Sequence, residues 1–153
     1  MEQTIIKILF VCTGNTCRSQ LAHAFLLNKI EALNIKCIEV DSAGIGCAEG
    51  MDISENSQAV LKERNINFTH KSRAITMKDI EDFTFIICMT KSHYNLLKNY
   101  APEEKLYTLD EITGCGDIID PYGQDLDVYR KTAQQLDDAI DKLLIQITKK
   151  YGL

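Results

Sequence analysis

No two cysteines of this chain stand two residues apart, and its only histidines, His23, His70 and His93, are scattered among different segments. A structural zinc site takes closely spaced paired ligands, so none is expected. A cationic excess is lacking too. Lys and Arg number 17 against 22 Asp and Glu, a net charge of −5. A general nucleic-acid binder draws its affinity from clustered cations, so no nucleic-acid partner is expected and any anion site has to be local. Long apolar runs are missing as well. The first, Ile5 to Val11, is interrupted by Lys7 and is far too short to span a bilayer, and Met-Glu-Gln-Thr before it has no basic segment. A soluble cytoplasmic protein with no membrane contact is the expectation. Repeats, linkers and low-complexity tracts are also absent. At 153 residues, 45% hydrophobic and 25% charged, the chain fits one compact domain over 1–153, with a monomer as the expected state. Without an export signal, the six cysteines read as reduced thiols rather than a disulfide scaffold.

What is present is an alternation of short apolar runs and amphipathic stretches. Ile5 to Val11 is β-branched and apolar, the pattern of a strand buried on both faces, and is taken as the first, central strand. Ala22, Leu26, Ile30 and Leu33 then recur at helical spacing, in a helix that starts near Ser19. Ile35 to Ser42 reads as a second strand, and Ser54 to Asn65 as a helix with Ser54 as N-cap. Thr84 to Met89 is another buried strand, followed by a helix from Ser92 to about Tyr100 that Pro102 prevents from continuing. Lys105 to Leu109 is the last strand. From Asp125 onward, Val128, Thr132, Leu136, Ile140, Leu143 and Ile147 mark a closing amphipathic helix. Strands alternating with helices predict an α/β fold, a four-stranded parallel sheet with helices on both faces.

The chemistry is concentrated in Val11-Cys12-Thr13-Gly14-Asn15-Thr16-Cys17-Arg18-Ser19, between the first strand and the first helix. A loop of this length can curl so that its backbone N–H groups point inward, and the following helix adds about half a positive charge at its N-terminus. Phosphate fits such a concavity. Arg18 supplies a planar fork for two phosphate oxygens, and the same field favours the thiolate of Cys12. Gly14 suits a position that needs positive φ or close approach of a ligand. Asn15 tolerates the left-handed region and can tie the loop to itself, while Ser19 can donate to the thiolate or cap the helix. A thiolate that attacks phosphorus needs an acid for the leaving group. Asp117-Ile118-Ile119-Asp120-Pro121-Tyr122-Gly123 offers carboxylates, with Pro121 holding Asp120 extended. Read alone, Asp120 to Gly123 is equally a turn.

The cysteine loop after an N-terminal strand, with Asp120-Pro121-Tyr122 before the last helix, resembles the low-molecular-weight protein tyrosine phosphatases over essentially the whole chain. Asp41-Ser42-Ala43-Gly44 and His70-Lys71-Ser72-Arg73 are similar to family landmarks. The resemblance implies Cys12 as nucleophile, Arg18 as phosphate ligand and Asp120 as general acid. Thr13, Gly14, Asn15, Thr16, Cys17, Ser19 and Tyr122 would surround the substrate, and Asn15, Ser19, Ser42 and His70 would form a supporting polar network. It implies a phosphocysteine intermediate with no metal or organic cofactor. It also gives Cys17 either a packing role or that of a partner in a reversible disulfide with Cys12.

Position 16 separates the branches. Tyrosine-specific relatives usually carry a larger apolar residue there and relatives acting on phosphoarginine carry threonine, so Thr16 implies the bacterial protein-arginine-phosphatase branch, with phosphorylated proteins as partners. Phosphotyrosine is the alternative, with Tyr122 as a wall. Gln20 departs from the proline common in the phosphatases and is shared with arsenate reductases of this fold. Those enzymes need a closely spaced further cysteine pair, whereas Cys88 and Cys115 are far apart. A phosphate-binding module without turnover is the remaining reading, opposed by the joint presence of Cys12, Arg18 and Asp120. Tyr122 and Tyr129 near the acid loop are either modification sites or walls of the cleft.

Overall fold

The computed structural model describes residues 4–153; the reading of the N-terminal segment as free of basic residues falls largely on residues 1–3, outside the described residues. Four strands, β1 (Ile6–Cys12), β2 (Ile38–Gly44), β3 (Phe85–Cys88) and β4 (Leu106–Thr108), alternate with helices α1 (Arg18–Ala32), α2 (Glu55–Glu63), α3 (Met77–Asp82), α4 (Lys91–Leu97), α5 (Leu109–Thr113) and α6 (Leu126–Tyr151). The strands form one parallel sheet in the order β2-β1-β3-β4. β1 is internal, as its mostly apolar, β-branched run predicts.

Side chains alternate across a strand, and β1 uses both faces. Ile6, Ile8 and Phe10 pack with Leu21, Phe25 and Leu26 of α1 and with Leu136, Ile140 and Leu143 of α6. Leu9 and Val11 pack instead with Ile80 of α3, Leu97 of α4, and Ile86 and Cys88 of β3. Helices therefore cover both faces of the sheet. Among the described residues no helix is long and apolar enough to cross a membrane.

The boundaries differ from the sequence reading where local chemistry intervenes. β2 begins at Ile38, not Ile35, because Asn34 turns left-handed (φ 57°) and the Ile35 N–H closes back on the Ile30 carbonyl, extending the end of α1. The helix after β3 ends at Leu97, short of Tyr100. α3 and α5 are additional. They have six and five residues, too few for a periodicity, and each opens on a capping box, Thr76 with Asp79 and Thr108 with Glu111. Ser54 caps α2 through the Ser57 N–H, as expected.

Candidate active site

The segment between β1 and α1 leaves the sheet beside β2, where Cys12 pairs in register with Gly44. Gly44 has to be glycine here. A Cβ on it would meet the Thr13 carbonyl oxygen at 2.6 Å and Cys47 at 2.9 Å.

Five carbonyls of the loop are held by donors outside it. Cys12 O accepts from Ile45 N at 2.9 Å, Thr13 O from Gly46 N at 3.1 Å, Thr16 O from Ser54 N at 2.9 Å and Cys17 O from Leu21 N at 2.9 Å. Asn15 O accepts from Gln20 Nε2 at 2.7 Å. Among the described residues no N–H from Thr13 to Arg18 meets a protein acceptor, so the amide edge faces the cavity as a cradle for an anion. The left-handed residue is Asn15 (φ 53°) and not Gly14. Gly14 lies on the cavity wall, which leaves close approach as the reason for a glycine there.

Behind the cradle, Asn15 and Ser19 are fully buried. Asn15 Nδ2 donates to Ser19 Oγ at 2.8 Å, and that hydroxyl lies 2.9 Å from Cys12 Sγ. An oxygen that accepts from Asn15 is free to turn its own proton to the sulfur, so Ser19 serves Cys12 and does not cap α1. Asn15 Oδ1 in turn accepts the Arg73 N–H at 3.1 Å.

Cys12, Thr13, Gly14, Thr16, Cys17, Arg18, Asp120 and Tyr122 line one cavity of about 320 Å³ together with Gly46, Cys47 and Ala48. Arg18 is buried, donates to the Ile118 carbonyl at 3.3 Å and reaches Asp120 Oδ2 at 3.5 Å. Asp120 is mostly exposed, and its Oδ1 accepts the Tyr122 N–H at 3.1 Å. The turn and the carboxylate at the cavity mouth, posed as alternatives by the sequence, coexist. A larger cavity of about 630 Å³ lies over α2, lined by residues such as Asp52, Glu55, Lys62 and His70. It has no cysteine or arginine in its wall, whereas the smaller one has both.

Two of the expected supporting residues stand one step back. Ser42 Oγ bonds His23 Nδ1 at 3.0 Å, and His70 Nε2 bonds Asp41 Oδ1 at 3.0 Å. They reach the loop through Asp41, whose Oδ2 holds Arg73 at 3.0 Å, and then through the Arg73 N–H on Asn15. Burial works to raise the Asp41 pKa, but the hydrogen bonds from His70 and the Ser42 N–H and the Arg73 charge outweigh it and hold the carboxyl at about 2. His23 is lowered to about 4, by burial first and then by His70.

One residue of the site, His93, has no role in the sequence reading. His93 is buried and bridges Thr90 Oγ1 at 3.0 Å and Thr13 Oγ1 at 2.9 Å, gripping the loop from α4. Burial, with the Arg18 charge second, lowers its pKa to about 4, so it is neutral at physiological pH. Cys17 Sγ lies 3.4 Å from both Ser54 Oγ and Tyr129 Oη. Tyr129 is thereby buried against the loop, and burial followed by the Cys17 contact pushes its phenol up to about 12. Gln20 braces the Asn15 carbonyl from α1. Cys88 is buried inside β3, and burial pushes its thiol up to about 12.

Residues 7–152 match the family model described as low molecular weight phosphotyrosine protein phosphatase. A protein-arginine-phosphatase of Geobacillus stearothermophilus is 40% identical over 141 residues, covering 90% of this chain and 93% of the relative. The low molecular weight protein-tyrosine-phosphatase PtpB of Staphylococcus haemolyticus is 34% identical over 140 residues, covering 90% and 97%. The solved structure of the YwlE arginine phosphatase from Geobacillus stearothermophilus superposes with a TM-score of 0.87 at 38% identity, covering 95% of this chain and 94% of that one.

Proposed function

This chain belongs to the low-molecular-weight phosphotyrosine protein phosphatase family, a family of phosphoprotein hydrolases, and on that premise we propose that it is a protein-arginine phosphatase with Cys12 as nucleophile, Arg18 as phosphate ligand and Asp120 as general acid. The observation that carries the reading is the convergence of these three side chains on one cavity beneath the amide edge of the loop.

The steps follow from the atoms. Cys12 Sγ attacks phosphorus in line with the leaving nitrogen, and a P–S bond forms as the P–N bond breaks. The equatorial oxygens lie on the N–H groups of residues 13–18 and on the Arg18 fork, which stabilise the charge of the transition state. Asp120 gives its proton to the departing nitrogen and becomes a carboxylate facing a guanidinium, an ion pair at the exposed end of the cavity. It then takes a proton from water as the water oxygen attacks phosphorus. The P–S bond breaks, phosphate leaves and the thiolate returns, held by the Ser19 hydroxyl.

Thr16 supports the choice of phosphoarginine, since its hydroxyl on the cavity wall accepts a polar guanidinium that an isoleucine would repel. Phosphotyrosine is the second reading, favoured by the mostly exposed Tyr122 ring on the same wall. The proposal includes phosphorylated proteins rather than nucleic acid as partners, a cytoplasmic location and residues 1–153 acting as one monomeric phosphatase domain.

The test is the steady-state release of phosphate from matched phosphoarginine and phosphotyrosine peptides. The wild type is expected to prefer phosphoarginine, Thr16→Ile to reverse the preference, and Cys12→Ser to lose roughly 10³-fold or more on both. A wild-type preference for phosphotyrosine overturns the substrate assignment. Full activity of Cys12→Ser overturns the mechanism.

A further inference from the structure

The sequence scatters its histidines, but the fold brings two of them to one carboxylate. His23 from α1, Asp41 from β2 and His70 from the segment before α3 each offer one ligand atom, and these atoms lie within 4.8 Å of one another. Asp41 Oδ1 is 3.0 Å from His70 Nε2 and 4.0 Å from His23 Nδ1. Donors bound to a tetrahedral ion at about 2.0–2.1 Å stand about 3.3 Å apart. The His70–Asp41 side already stands near that separation, and an ion would draw the His23 ring inward, away from its bond to Ser42 Oγ.

We propose that His23, Asp41 and His70 form a binding site for one divalent transition ion of the zinc class, separate from the thiol cavity and coupled to the phosphate-binding loop through Arg73.

The donor set is two imidazoles and one carboxylate, three protein ligands with a fourth position for water, which suits zinc and its neighbours and not magnesium or calcium. Arg73 holds Asp41 Oδ2 from behind, leaving Oδ1 directed at the two rings, the arrangement in which an outer partner orients a ligating carboxylate. Phe68 packs on the His23 ring at 4.9 Å between centroids and dries one side of the cluster. His70 also borders the 630 Å³ cavity over α2, a route in for the ion and its water. Asp41 holds Arg73, and the Arg73 N–H holds Asn15, so an ion on Asp41 pulls on the carboxylate that steadies the loop.

The three histidines give the test an internal control in the unaltered protein. Cobalt(II), a spectroscopic stand-in for zinc, is titrated into the full chain while histidine Cε1–H resonances and the visible absorption are followed. The expected result is one equivalent bound, paramagnetic shifts for His23 and His70 with His93 little moved, and absorption without thiolate-to-cobalt charge transfer. His23→Gln, checked for an unchanged melting temperature, is expected to lower cobalt and zinc affinity by about tenfold or more. An ion held by the thiols of the phosphatase cavity would instead shift His93 next to Thr13 and bring the charge-transfer band. That result, unchanged affinity in His23→Gln, or no saturable binding at millimolar ion overturns the proposal.

Discussion

The loop that carries Cys12 and the loop that carries Asp120 face the same cavity and are held in opposite ways. The first is braced on the side away from the cavity, with Asn15 and Ser19 at 0% exposure and partners arriving from α1, α4, α6, the segment after β2 and the segment around Arg73. The second is fastened at its base, where Ile118 N bonds Met89 O and Gln135 holds the Cys115 and Asp117 carbonyls. Its tip, by contrast, presents Ile119, Asp120 and Tyr122 to solvent. The difference separates two tasks. In the proposed mechanism phosphate geometry is fixed before substrate arrives, whereas Asp120, as the acid, has to meet leaving groups attached to different proteins.

The largest effect that would sharpen this contrast is in the exposed half. Asp120→Ala is expected to lower kcat by roughly 10²–10⁴-fold while moving stability by less than about 0.5 kcal/mol, read from single-turnover phosphate release and a urea melt. Asn15→Ala, in the braced half, should fail on both counts. It strips the partners of Ser19 and of the Arg73 N–H and puts a Cβ residue without a side-chain amide in a left-handed position, a loss of about 2–4 kcal/mol and of about 10–100-fold in kcat. An Asn15→Ala chain that melts like the wild type would break the comparison.

A third prediction concerns pH. His93 is neutral in the folded chain down to about 4, whereas its unfolded counterpart takes up a proton near 6.5. Between those values the unfolded state binds more protons, so this residue costs the fold stability as the pH falls from about 6.5 to about 4 and nothing above it. His23 acts in the same window, so chemical denaturation should show a drop that is smaller by roughly 1–3 kcal/mol in His93→Asn than in the wild type. Smallest of all, Tyr122→Ala should raise KM by less than about tenfold with stability unchanged, because its ring stands clear of the core.

Much of the frame is legible in the chain because burial writes itself as periodicity. Ile5 to Val11 and Thr84 to Met89 announce the two internal strands, and the spacing from Val128 to Ile147 announces α6. The short α3 and α5 carry no period, but their Thr-x-x-Asp and Thr-x-x-Glu capping signals stood in the sequence. In the site, Cys12, Arg18 and the residues between them are contiguous and therefore readable. The braces are not. His93 and Arg73 act on residues 80 and 58 positions away, and no local pattern records which distant side chain will arrive beside a loop. Gln20 illustrates the limit, since the sequence marks it only as a departure, while the structure gives it the task of holding a carbonyl.

The contact between Cys17 and Tyr129 joins residues 112 positions apart. A ribosome therefore releases the thiol-bearing loop long before it makes the helix that closes over it. For most of its synthesis the nascent chain carries a cysteine pair in an unfinished pocket, open to oxidants and to any passing disulfide. The first turn of α6 is thus what sets the Tyr129 hydroxyl beside Cys17, and a chain stalled before residue 129 is a different chemical object from the finished one.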